Sequence, residues 1–232
     1  MIVAIDLGVR ASDQEDFNAL VGFAKSLGFS GIAVSGGITE PFREQDDGFL
    51  ILKRFDVRSK NLSSLKKNVG QHRRKAAIIG IELARNLEIS NWAAEDGRAD
   101  LMVLNHSKNT RLKDTTASLA AESGTALEVP FSPLLQTQGL ARSKILKKYR
   151  ESIGTALDAK MHVVLTSGTD NPLEMRAPTS MRHIAELLGI RYEDTTGVVI
   201  DTPKHIVDKN LAKLDRDFVA EGVEILEGGK HP

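Results

Sequence analysis

Asp6, Ser35, Glu82, Asn105, Ser107, Ser132, Ser167 and Arg176 are polar residues that end or follow short apolar, β-branched runs. If those runs are parallel strands of a barrel, the polar groups gather at the strands' C-terminal ends, where such folds hold their ligands. The same residue types cap helices and turns, so each also has a plain structural reading. Metal-assisted hydrolysis needs histidines and carboxylates converging on one ion. His72, His106, His162, His183, His205 and His231 never form His-x-His or His-Glu-x-x-His, and only His106 lies just past an expected strand end. Nucleophilic chemistry has Ser107, Ser132 and Ser167 available, but none sits in a G-x-S-x-G elbow. Ser167-Gly168 forms a turn whose backbone N–H groups can face an anion, with Arg176 nearby. Cysteine is absent, so disulfides, thiolate metal sites and cysteine nucleophiles are excluded.

Charge is the stronger signal. The 31 Lys and Arg balance 31 Asp and Glu over 232 residues, yet residues 53–75 carry nine cations and the single acid Asp56. A second run, Arg142, Lys144, Lys147, Lys148 and Arg150, has five cations and no acid. Residues 1–50 hold eight acids against three bases, and residues 192–232 nine against five. A neutral total therefore conceals a divided field, and concentrated basic faces suit phosphate groups. The alternative is an ordinary solvated helix face. Aromatic residues make up only 5%, and no motif for stacking unpaired bases is present, so phosphate and shape contacts are expected to dominate any RNA association.

The elements that must position these groups follow from periodicity. Strands are expected at residues 2–6, 31–35, 50–57, 77–82, 100–105, 126–131 and 162–167, with helical patterns between them, the sequence form of βα units. Ser12 to Glu15 reads as a capping box ahead of Phe17, Leu20, Val21, Ala24 and Leu27, and Gly28 supplies a left-handed stop. A later helix carries Leu146, Tyr149, Ile153 and Leu157 on one stripe. After the seventh strand the pattern turns helical over residues 178–188, 192–199 and 203–214, with residues 222–226 as a possible short eighth strand. No linker composition or repeat divides the chain, so one domain over residues 1–232 is expected. Its fold is an α/β, irregular TIM-like barrel with seven clear parallel strands and a helix-rich C-terminal end. An open doubly wound sheet ranks second, because Asp6 to Arg10 lacks G-x-G-x-x-G spacing. No apolar run approaches the roughly 20 residues that span a bilayer, which points to a cytoplasmic protein without a membrane partner.

Several segments together carry a family resemblance. They are Ala94 to Asp100, Asn105-His106-Ser107, the run from Ala126 to Leu135 reading ALEVPFSPLL, the arginine-bearing helix from Arg142, and Thr166-Ser167-Gly168 with Met175-Arg176-Ala177-Pro178. The chain resembles ribonuclease P protein component 3, the TIM-barrel-like subunit of archaeal and eukaryotic ribonuclease P. The resemblance covers about residues 75–215, where ALEVPFSPLL and the Thr166-Ser167-Gly168 and Met175-Arg176-Ala177-Pro178 segments are its specific part and the remaining strands would suit many barrels; before that it rests on element order. It implies a noncatalytic subunit of a ribonucleoprotein endonuclease that removes the 5′ leader of precursor tRNA. The RNA subunit would carry the active site and its Mg2+, with no cofactor on this chain. The implied partners are the ribonuclease P RNA, a small Pop-five-type subunit, other ribonuclease P proteins and the precursor tRNA. Candidate RNA contacts are Lys53, Arg54, Arg58, Arg73, Arg74, Arg142, Lys144, Lys147 and Lys148, with Arg111 and Arg176 behind them. The competing expectation is a stand-alone barrel hydrolase of the PHP or amidohydrolase kind, whose architecture the family resembles.

Overall fold

Alternation within each apolar run sorts the side chains onto two faces of one curved sheet. The computed structural model describes residues 4–59, 61–107, 110–214, 218–220 and 223–224. Its strands are β1 (Ile5–Arg10), β2 (Gly31–Ser35), β3 (Phe42–Glu44), β4 (Leu50–Val57), β5 (Ile78–Glu82), β6 (Leu101–Val103), β7 (Ala126–Pro130) and β8 (Val163–Thr166). The order β1-β2-β4-β5-β6-β7-β8 is parallel at every step, and β3 pairs antiparallel with the first half of β4. The ends meet where Val9 bridges Thr169, Arg10 N–H donates to Thr169 O at 3.0 Å and Gly168 N–H donates to Gly8 O at 2.7 Å. Seven parallel strands thus make a nearly closed barrel.

Helices α1 (Gln14–Ser26), α2 (Leu62–His72), α3 (Leu87–Glu95), α4 (Asp114–Ser123), the short α5 (Ser132–Gln136), α6 (Gly139–Asp158), α7 (Pro178–Leu187) and α8 (Thr202–Leu214) complete the principal elements. Outward-facing Ile32, Val34, Ile51, Ile79, Leu127 and Val129 join helix residues such as Phe17, Leu20 and Leu65 in the larger apolar cluster. Each such burial contributes roughly 1.5–3 kcal/mol relative to exposure. Inside the barrel, Ile5, Leu7, Ala33, Leu52, Ile78, Leu101, Ala126 and Val164 pack with Ile206 and Val207 of α8. Asn210 Nδ2 donates to Ala77 O at 2.9 Å, fixing α8 at the strands' N-terminal ends. One end of the barrel is plugged by apolar side chains; the other is left to polar ones.

Several expectations shift. Residues 2 and 3 of the expected first strand lie outside the described ones; among those described the strand is Ile5–Arg10, so it continues past Asp6 and Arg10 takes the C-terminal end. Its register changes between Asp6 and Val9, an irregularity that a period-two reading cannot anticipate. The α1 cap is Asp13, whose carboxylate accepts from Asp16 N–H at 2.9 Å, one residue after the expected box; Gly28 takes φ +85° as expected. On α6 the buried stripe is Ile145, Tyr149, Ile153 and Ala156, while Leu157 is exposed. The C-terminal region holds a π turn at Gly197–Asp201, and β9 (Phe218–Ala220) pairs with β10 (Val223–Glu224) in a separate ribbon. Of the expected eighth strand, Val223 and Glu224 fall on this ribbon and residues 222, 225 and 226 lie outside the described ones; β10 does not pair with the barrel.

Candidate functional site

The C-terminal ends of the strands surround a cavity of about 420 Å³, lined among others by Arg10, Arg54, Asp56, Arg58, Glu82 and Glu128. Its floor is built around Arg54. The guanidinium donates through Nη1 to Glu128 Oε1 at 2.8 Å and through Nη2 to Oε2 at 2.6 Å, a forked pair across the barrel from β4 to β7. Nε and Nη2 reach Asp56 Oδ1 at 2.9 and 2.7 Å, and Nη1 also donates to Leu7 O at 2.5 Å. Thr166 Oγ1 donates to Glu128 Oε1 at 2.7 Å, and Ser35 Oγ to Asp56 Oδ2 at 2.8 Å. Two glycines make the room: a Cβ on Gly8 would lie 2.7 Å from Glu128 Oε1, and one on Gly80 would lie 2.7 Å from Asp56 Oδ1.

This arrangement decides the chemistry of the floor. Burial works against the Arg54 charge, but Asp56 and Glu128 overcome it and raise the guanidinium's pKa. Burial raises Asp56, while the Arg54 charge outweighs it and holds the carboxyl below its ordinary range. A carboxylate stabilised in this way is a poor proton acceptor at neutral pH. Asp6 is buried beside this floor, accepting from Gly8 N–H at 3.1 Å and Ser167 N–H at 3.2 Å; burial pushes its carboxyl up despite the hydrogen bonds from Ser167 and Gly8. Ser132 Oγ donates to Gly168 O at 2.9 Å, a turn-closing role. Asn105 Oδ1 accepts from Ser107 N–H and Oγ at 2.9 and 2.7 Å, again a local turn. His106 stands at the mouth, its pKa lowered by partial burial and by the charges of Lys148 and Arg10. Among the described residues no group of three or more His, Asp or Glu is disposed to hold a metal ion.

The expected RNA contacts separate into two kinds. Three have their head groups engaged within the fold. Arg54 is 5% exposed and engaged on the floor. Lys148, 7% exposed, donates to Asn105 O, and burial with Arg111 nearby lowers its pKa. Arg73 donates to Asp100 Oδ2 at 2.6 Å, to Ala76 O at 3.0 Å and to Ala77 O at 2.7 Å, tying α2 to the starts of β5 and β6. A charge run in sequence does not distinguish a head group turned inward from one in water. The others present charge at the surface to differing extents. Arg74, Lys144 and Lys147 are exposed, as are Arg58, paired with Glu82 at 3.0 Å, and Arg111, paired with Glu151 at 2.6 Å. Lys53 Nζ donates to Thr39 O at 2.7 Å, Arg142 Nε to Thr137 O at 2.7 Å, and half-buried Arg176 to Leu173 O and Met175 O. Helices α2, α3, α4 and α6 adjoin in that order, so the two basic runs occupy different sides of the barrel. Sequence reading missed Asp56, Glu128, Gly8, Gly80 and Arg10 as the makers of the mouth. The sequence does place Lys53 and Arg54 inside the otherwise apolar run of β4, the one local sign of a polar interior there.

A family model described as RNase P subunit p30 matches residues 3–215. Ribonuclease P protein component 3 of Methanosarcina barkeri is 26% identical over 220 residues, covering 91% of this chain and 90% of that protein. The protein of the same name from Methanosarcina mazei is 27% identical over 217 residues, covering 90% and 89%. A chain in a cryo-EM structure of archaeal ribonuclease P with mature tRNA superposes with a TM-score of 0.77 at 21% identity, covering 98% of this chain and 100% of that one.

Proposed function

Because the chain belongs to the RNase P subunit p30 family, we propose that it is a protein subunit of ribonuclease P, assisting RNA-catalysed removal of the 5′ leader from precursor tRNA. The match over residues 3–215 carries this reading. The floor of the mouth supports a noncatalytic role, since its carboxylates Asp56 and Glu128 are held by Arg54. The chemistry and the Mg2+ ions are assigned to the RNA subunit, in a cytoplasmic particle that includes a small Pop-five-type partner. Lys53, Arg58, Arg74, Arg111, Arg142, Lys144, Lys147 and Arg176 are the proposed phosphate contacts. Their role is to neutralise RNA backbone and hold its folded geometry, not to transfer protons.

Reconstitution tests this. Precursor-tRNA cleavage should require the RNA subunit and should weaken when this chain is omitted. Cleavage by the protein without RNA, together with stoichiometric metal in the purified chain, would instead establish the barrel-hydrolase reading.

A further inference from the structure

Trp92, the single tryptophan of the chain, lies half-buried on α3 facing α2, and two cations cover its ring. Lys66 Nζ stands 5.7 Å from the ring centre and the Arg98 guanidinium carbon 5.8 Å. The two cations are held differently. Arg98 is fixed by Asp96, through Nε at 2.7 Å and Nη2 at 2.6 Å, and its carbonyl accepts from Arg73 Nη1 at 3.1 Å. Lys66 is exposed; burial raises the Asp96 carboxyl, but the closer Arg98 contacts and, after them, the charge of Lys66 hold it below its ordinary range. Lys67, Arg74 and Lys75, on and just after α2, are exposed as well, and the acids Glu88, Glu95 and Asp96, on and just after α3, stand against these cations.

We propose that this α2–α3 face is a binding site for an unpaired nucleotide of an RNA chain, with the base stacked on Trp92 and flanking phosphates met by Lys66 and Arg98. The inference rests on the ribonuclease P reading and adds a stacking site to it. A flexible lysine is a replaceable cover for an indole: a planar base covers more of the ring and frees the ammonium for a neighbouring phosphate. Arg98, locked by Asp96, keeps its place and gives the site a fixed positive edge. A duplex offers no free base face, and an acidic peptide would satisfy the cations while leaving the ring without a planar partner. The sequence carries no stacking motif because the parts come from two helices and the loop after α3, joined only by the packing of α2 on α3.

Trp92 reports on its own site. Titrating the full chain with an end-labelled oligouridylate should quench tryptophan fluorescence in step with the rise in label anisotropy, and a duplex of equal length should not quench it. Trp92→Leu should weaken oligouridylate binding about tenfold, Trp92→Phe should recover most of that loss, and Lys66→Ala should lower the salt slope by about 0.7. Oligouridylate binding with unchanged fluorescence and unchanged affinity in Trp92→Leu overturns the stacking site and leaves the ribonuclease P reading standing. Failure of the chain to bind either oligouridylate or the ribonuclease P RNA overturns both.

Discussion

Arg54 shows why a residue's type and its role part company. In the sequence it belongs to a basic run; in the barrel all of its donor capacity goes to Glu128, Asp56 and Leu7 O, with Gly8 and Gly80 admitting the group. Removing one partner of a buried pair leaves the other uncompensated, so Arg54→Leu should lose about 3–5 kcal/mol in urea unfolding at neutral pH. The pH dependence should also reverse in sign. In the wild type Asp56 has a lowered pKa, so its contribution is present above the ordinary carboxylate value of about 3.9 and disappears as pH falls through the folded-state value. Without the guanidinium, burial is left to raise the Asp56 carboxyl, and stability should improve between pH 7 and pH 5. A variant as stable as wild type at pH 7 would refute the floor's role.

At the scale of elements, adjacent arginines on the α2 terminus do different work. Arg73 reaches Asp100 and the carbonyls of Ala76 and Ala77, joining helix to strand starts, whereas Arg74 stands in water. Arg73→Ala should lower the unfolding midpoint, since it strands the buried Asp100 carboxylate, which also accepts from Ile79 N–H at 2.7 Å. Arg74→Ala should leave that midpoint within about 0.5 kcal/mol of wild type and reduce the salt slope of RNA binding by about one. Equal effects of the two substitutions on stability would contradict the assignment. Strand existence was legible here: β2 and β4 match the periodicity residue for residue, because alternation between two apolar layers leaves a plain trace. The hairpin strand β3 was not, since Phe42–Glu44 is short, exposed and paired only along an edge.

Across the whole molecule, the neutral sum divides into basic surfaces on α2 and α6, on different sides of the barrel. If both meet RNA, replacing Arg142, Lys144 and Lys147 together with Ala should reduce the salt slope of complex formation by about two to three, with stability unchanged, and should remove a footprint separate from that of α2. An unchanged slope would take α6 out of the RNA interface. The succession of βα units, the barrel class, the basic runs and the family resemblance could all be read from the chain, because each is written in local periodicity, composition or contiguous motif. Which cations face inward, that Arg54 joins β4 to β7 on the mouth's floor, that α8 plugs the opposite end, and that Lys66 and Arg98 cover Trp92 became visible in the folded chain alone. Those facts depend on which residues distant in sequence share a burial site. Chain order does not record that, since closure of the sheet creates the shared interior.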